Sequence, residues 1–110
     1  MNMMNKRAKE LGMTSLAITD HGSMSGVVDF YKEATAQGIK PLIGCEVYVA
    51  RRTLDQKNDK TDLGGYHLIL LAKNFKGYKN LIKIVSKAWT DGFYGRPRTD
   101  RSELEKYHEG

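Results

Sequence analysis

The chain has 110 residues and a mass of 12.4 kDa, room for one domain or part of one, which excludes two domains of ordinary size. Its 40% hydrophobic and 28% charged residues are the mix of a soluble globular protein, excluding collagen-like, low-complexity and wholly disordered chains. Lys and Arg number 18 against 13 Asp and Glu, and the resulting +5 suits a polyanionic partner without requiring one. No apolar run approaches the roughly 18 residues that span a bilayer, and Met1 to Glu10 lack the apolar stretch of a signal peptide, so no membrane partner is expected. The single Cys45 cannot form an internal disulfide, and the expected compartment is the cytoplasm.

The first dozen residues place Met4, Ala8 and Leu11 on one face of a short helix closed by Gly12. Ser15 to Thr19 (SLAIT) is too short for a helix and reads as a buried strand ending in the polar cluster Asp20, His21, Gly22 and Ser23. From Ser25 the period changes: Met24, Val27, Val28, Tyr31 and Ala34 mark one helical stripe, ended by Gly38. Lys40 to Ala50 (KPLIGCEVYVA) is a second apolar strand, opened by Pro41 where proline is tolerated. Strand, helix and strand in this order make a βαβ unit with parallel strands.

Arg51 to Gly65 is charged and aperiodic, and reads as a long mobile loop, functional or disordered. Tyr66 to Ala72 (YHLILLA) reads as a third buried strand. A helix follows from Lys76, with Tyr78, Leu81, Ile82, Val85 and Trp89 on one side and Lys76, Lys79, Lys83 and Lys87 on the other. Asp91 to Arg98 (DGFYGRPR) is a turn-rich loop. Asp100 is expected to cap a last helix, with Glu103 as its capping-box partner. The fold class is α/β, with about three parallel strands and flanking helices.

In such sheets functional side chains gather where strands end. His21 follows the first strand and Glu46 lies in the second; on neighbouring parallel strands their side chains converge. An imidazole and a carboxylate suit Zn²⁺, Mn²⁺ or Fe²⁺, with Asp20 placed to orient the ring or add an oxygen. Glu46 lies between apolar Cys45 and Val47, and an unpaired carboxylate there would cost several kcal/mol, so it needs a partner or an outward orientation. The plainer alternative for His21 is a ring that caps a turn. His67 opens its strand, at the end away from the site if that strand is parallel to the others, and suits a hydrogen bond to a loop. Alternation turns Cys45 away from Glu46 into the core. The lysine stripe Lys76, Lys79, Lys83 and Lys87 could track a nucleic-acid backbone, although a solvated helix face is the commoner use of such a pattern.

The blocks TDHG (Thr19 to Gly22), GIKPLIGCEVYVA (Gly38 to Ala50), HLILLAKN (His67 to Asn74) and GFYGRPR (Gly92 to Arg98), in this order, resemble the PHP (polymerase and histidinol phosphatase) domains of the bacterial DNA polymerase III alpha-subunit family. The likeness covers nearly the whole chain outside Arg51 to Gly65. It implies part of a (β/α)7 barrel, here incomplete, with up to three metal ions at the carboxyl ends of its strands. His21 and Glu46 match family ligands. His67 matches the family's HLILLA histidine and is a further candidate ligand.

The same resemblance places an HxH motif before residue 1 and a DxH motif beyond Gly110, so the chain is expected to be a fragment, inactive by itself. The parent is expected to be a DNA-directed DNA polymerase of DNA replication, acting on DNA and deoxynucleoside triphosphates with other replisome subunits. Its PHP region would be a metal-binding scaffold and a 3′–5′ exonuclease in which a metal-held hydroxide attacks the phosphodiester. Zn or Mn is implied for the intact PHP site, and Mg for a polymerase domain that this chain lacks. The alternatives are a stand-alone PHP phosphoesterase, an error-prone paralogue of the polymerase, or a non-catalytic scaffold binding DNA or a partner.

Overall fold

The computed structural model describes residues 2–53, 55–57 and 65–110. Helix α1 (Asn2–Glu10) leads to strand β1 (Ser15–Ile18), helix α2 (Val27–Ala36) and strand β2 (Lys40–Val49). Strand β3 (Tyr66–Leu71), helix α3 (Phe75–Thr90), the two-residue strand β4 (Arg98–Thr99) and helix α4 (Arg101–Lys106) complete the order. Much of the loop expected between Arg51 and Gly65 lies outside the described residues.

The expected βαβ unit is present: β1 runs parallel to the first half of β2, from Ser15 beside Lys40 to Ile18 beside Ile43. The second half of β2 has other partners. β4 lies parallel to its end, Tyr48 beside Arg98, while β3 pairs antiparallel, from Gly44 beside Leu71 to Val49 beside Tyr66. The sheet is therefore open, four-stranded and mixed. The expectation of parallel strands fails at Tyr66–Leu71. A parallel return needs a crossover that carries the chain back along the sheet, usually as a helix. Arg51 to Gly65 has no apolar periodicity for one, and the chain re-enters beside the strand end it left.

Alternation along β2 sorts the two faces of the sheet. Cys45 and Val47 point to the helices, packing with Leu81, Ile84 and Val85 of α3. Ile18 joins Val27 and Phe30 of α2 on the same side, and Ala8 of α1 meets Ala34 and Ile39 beyond them. The stripe on α2 is rotated from the expected one: Val27, Phe30 and Ala34 are buried, whereas Val28 and Tyr31 are exposed. Phe30 is wholly buried, which is worth about 2–3 kcal/mol of transfer free energy. Met4 on α1 and Leu11 just past its end are exposed, and Asn5 is buried with Ala8. On α3, Ile82 and Trp89 are exposed, and burial falls on Leu81, Ile84, Val85 and Ala88.

Asp100 caps α4 as expected, its Oδ1 accepting the Glu103 N–H at 2.9 Å. The Glu103 carboxylate is engaged by α3, its Oε1 accepting from Lys87 Nζ at 2.7 Å. Strand β3 is not buried: Tyr66, Leu68, Ile69 and Leu71 are all more than 40% exposed. Ile69 and Leu71 stand on the face opposite the helices, where no described element covers them, and no described strand pairs the outer edge of β3. Such an edge is a template for pairing. In light scattering the apparent mass of the chain should rise with concentration, and Ile69→Lys with Leu71→Lys should lower it. A constant monomer mass for the unmodified chain would contradict this.

Candidate functional site

The spacing that sets β1 against β2 continues past the end of β1. Ile18 lies beside Ile43, and His21 lies beside Glu46 as an isolated parallel bridge of the same register. The Glu46 N–H donates to the Asp20 carbonyl at 2.9 Å, and the Gly22 N–H donates to the Glu46 carbonyl at 2.7 Å. Two residues in register on neighbouring strands present their side chains to the same face. The His21 Nε2 accordingly lies 3.0 Å from Glu46 Oε2.

Reversal of β3 brings in a third group. His67 opens that strand, and in an antiparallel pair the opening residue lies near the carboxyl end of its neighbour. His67 stands opposite Tyr48, on the Glu46 face, and its Nδ1 lies 2.6 Å from Glu46 Oε1. Its expected place away from the site followed from a parallel strand and is corrected with it. The carboxylate of Glu46, 18% exposed, thus joins two imidazoles that are 67% and 50% exposed. The two rings meet edge to face with centroids 6.4 Å apart, and His67 stands edge-on to Tyr48 at 4.9 Å.

The hydrogen bond from His67 is the main cause that holds the Glu46 pKa below the ordinary glutamate value, and attraction to His21 adds to it, against the partial burial. An ionised carboxylate can only accept, so both facing ring nitrogens carry protons. In the neutral rings this leaves the lone pair on Nδ1 of His21 and on Nε2 of His67.

The His21 turn is built by residues that periodicity does not single out. Gly22 has φ of +63°, and a Cβ there would lie 3.0 Å from Tyr48 Cε2 and 3.1 Å from Pro97 Cγ, so only glycine fits without displacement. Trp89 reaches from α3 to donate its indole N–H to the Gly22 carbonyl at 2.8 Å. Cys45 lies on the core side, fully buried, its thiol 3.4 Å from the carbonyls of Asp20 and Ser23. Burial pushes that thiol's pKa up, which suits packing and not nucleophilic attack. The Asp20 carboxylate is exposed and forms no hydrogen bond or ion pair with His21; its carbonyl, not its side chain, holds the site.

The lysine stripe is largely occupied within the chain. Lys87 pairs with Glu103 and Lys76 with Glu109, while Lys79 lies over the Phe75 ring at 5.0 Å and Lys83 over Tyr107 at 5.6 Å. Lys79 and Lys83 remain exposed.

Two imidazoles and a carboxylate converging on one face match a borderline divalent ion in donor type. They do not match it in spacing: among the described residues no three His, Cys, Asp or Glu side chains are arranged to hold an ion. Both carboxylate oxygens are already engaged by ring N–H groups, and an ion would have to replace those hydrogen bonds.

These features, an α/β sheet with histidine and glutamate at its strand ends, agree with the comparison to known families. The PHP domain family matches residues 1–110, and the chain belongs to that family. It is 53% identical to the DNA polymerase III subunit alpha of Borreliella burgdorferi over 94% of its own length and 9% of that protein. It is 50% identical to the subunit of the same name from Chlamydia pneumoniae, over 94% of this chain and 8% of the relative. With the Thermus aquaticus subunit it shares 52% identity over 87% of this chain and 8% of the relative. The chain thus spans about a tenth of the length of these relatives.

A carboxylate whose pKa is depressed on folding stabilises the fold above its unfolded pKa, and that contribution is lost as the pH falls through the folded value. Carbon-13 NMR should therefore find the Glu46 midpoint below the ordinary glutamate range, and His67→Ala should move it upward. An ordinary midpoint in the unmodified chain would be inconsistent with the bridged geometry.

Proposed function

We propose that the chain is the PHP segment of a bacterial DNA polymerase III alpha subunit, and that His21, Glu46 and His67 supply part of a divalent-metal centre. The observation that carries this reading is the single carboxylate bridged by two imidazoles at the ends of neighbouring strands. The parent would be a DNA-directed DNA polymerase of the cytoplasm, working on DNA and deoxynucleoside triphosphates with other replisome subunits, its polymerase domain using Mg. Zn or Mn would occupy the PHP site. No helix among the described residues is long and apolar enough to cross a membrane.

The exposed face of the sheet favours a partial barrel. Glu46, Tyr48, His67, Ile69 and Leu71 share one face, opposite the helices, as the lining of a (β/α)7 barrel would. The HxH and DxH motifs of the family would lie in parts of the parent outside this chain and complete the ligand set.

When bound, a divalent ion would supply Lewis-acid activation of water and of a phosphoryl oxygen, as 3′–5′ exonuclease chemistry requires. The chain's own residues prepare that site. Glu46 gathers both rings through N–H hydrogen bonds that a bound ion would replace, and the Asp20 and Gly22 backbone bonds hold Glu46 in register. Trp89 and Gly22 shape the turn that aims His21. Asp20 would act from outside the ligand set, and Lys79 and Lys83 are the exposed members of the stripe still available to a DNA backbone.

Calorimetric titration with Zn²⁺ or Mn²⁺ tests the assignment. His21→Ala, Glu46→Gln and His67→Ala should each weaken binding by roughly tenfold or more. Affinity in all three variants equal to that of the unmodified chain would refute it.

A further inference from the structure

Beside the His21 turn lies an aromatic surface whose exposed ring faces have no role in the metal-centre reading. Trp89 and Phe93 stack with centroids 5.7 Å apart and planes 27° from parallel, yet the two residues are 51% and 46% exposed. The Trp89 indole is tied to the Gly22 carbonyl, one residue from His21, so the pair is fixed at the rim of the site. Phe93 and Arg96 flank one tight turn, closed by the Tyr94 N–H to the Arg96 carbonyl at 3.0 Å, with Gly95 at φ of +74°. The exposed Arg96 guanidinium lies over the Tyr48 ring at 5.0 Å, and Tyr48 packs against His67 on the same face. Arg96 pairs with no carboxylate among the described residues.

Exposed stacked aromatic rings next to an arginine without an anionic partner form the two halves of single-strand recognition: a face for a base and a cation for its phosphate. We infer that Trp89, Phe93 and Arg96 form a subsite for one nucleotide of a single-stranded nucleic acid at the rim of the His21–Glu46–His67 cluster. The base stacks on the aromatic pair and Arg96 binds the adjoining phosphate, which delivers the next phosphodiester toward the three-residue cluster. This inference rests on the proposed phosphodiester chemistry for its purpose, but the subsite binds without metal.

The chain has one tryptophan, so its emission reports on this subsite directly. In EDTA at low salt, single-stranded oligothymidylate of eight nucleotides should quench Trp89. Phe93→Leu should weaken binding roughly tenfold, within the range seen for lost base stacking. Arg96→Gln should weaken it and reduce the dependence of log K on log salt by about 0.7. Circular dichroism should show that both variants, which alter exposed side chains, retain the fold. Three results would overturn the inference: no quenching, quenching equal in both variants and the unmodified chain, or equal quenching by inorganic phosphate. A loss of binding in Lys79→Ala and Lys83→Ala with none in Arg96→Gln would also overturn it, by placing the strand on α3. Because EDTA removes the ion, failure of the metal centre appears only in the metal titration, and failure of the subsite only in the quenching.

Discussion

The site depends on one register. Glu46 sits in a strand whose backbone is bonded to the residues on either side of His21, so the carboxylate and the His21 ring have little choice of position. The carboxylate is ionised and only 18% exposed, a state that is unfavourable without partners. Two ring N–H groups satisfy its two oxygens, and the cluster of three is the resolution of that electrostatic demand. A one-residue slip of β1 would turn His21 to the other face and leave Glu46 with one partner.

The same alternation that builds the site builds the core. Cys45 and Val47 feed the packing with α3, while their neighbours Glu46 and Tyr48 face the open side. Core and site are therefore two faces of one strand, and neither can shift alone. Trp89 extends this coupling, because the helix that covers the core also anchors the His21 turn. The Gly92–Arg98 loop closes the third side, with Pro97 against Gly22 and the fully buried Arg98 donating to the Gly92 carbonyl at 2.8 Å.

Much of this was legible from residue order alone. The change of period at Ser25 and the apolar run after Pro41 locate the βαβ unit, and the spacing of His21 and Glu46 follows from parallel neighbours. The direction of β3 was not legible, since an apolar run such as YHLILLA has no polarity that separates a parallel from an antiparallel partner. The end of the sheet at which His67 lies depends on that direction, and the antiparallel pairing puts it beside Glu46. The α2 stripe stays ambiguous in the sequence because Val27, Val28, Phe30, Tyr31 and Ala34 spread over nearly half the helix, and only packing decides which part is buried. Strand β4 is two residues long and has no pattern to read. Periodicity places Trp89 on one side of its helix with Tyr78, Leu81, Ile82 and Val85, and a tryptophan that anchors a distant turn through its N–H carries no periodic signal.

Imidazole tautomers test the central arrangement most directly. Long-range proton–nitrogen NMR, at a pH where both rings are neutral, should place the His21 proton on Nε2 and the His67 proton on Nδ1. A free histidine favours Nε2, so the His67 result is the discriminating one. A His67 proton on Nε2, or a ring free of any contact with Tyr48, would contradict the bridged carboxylate and with it the site.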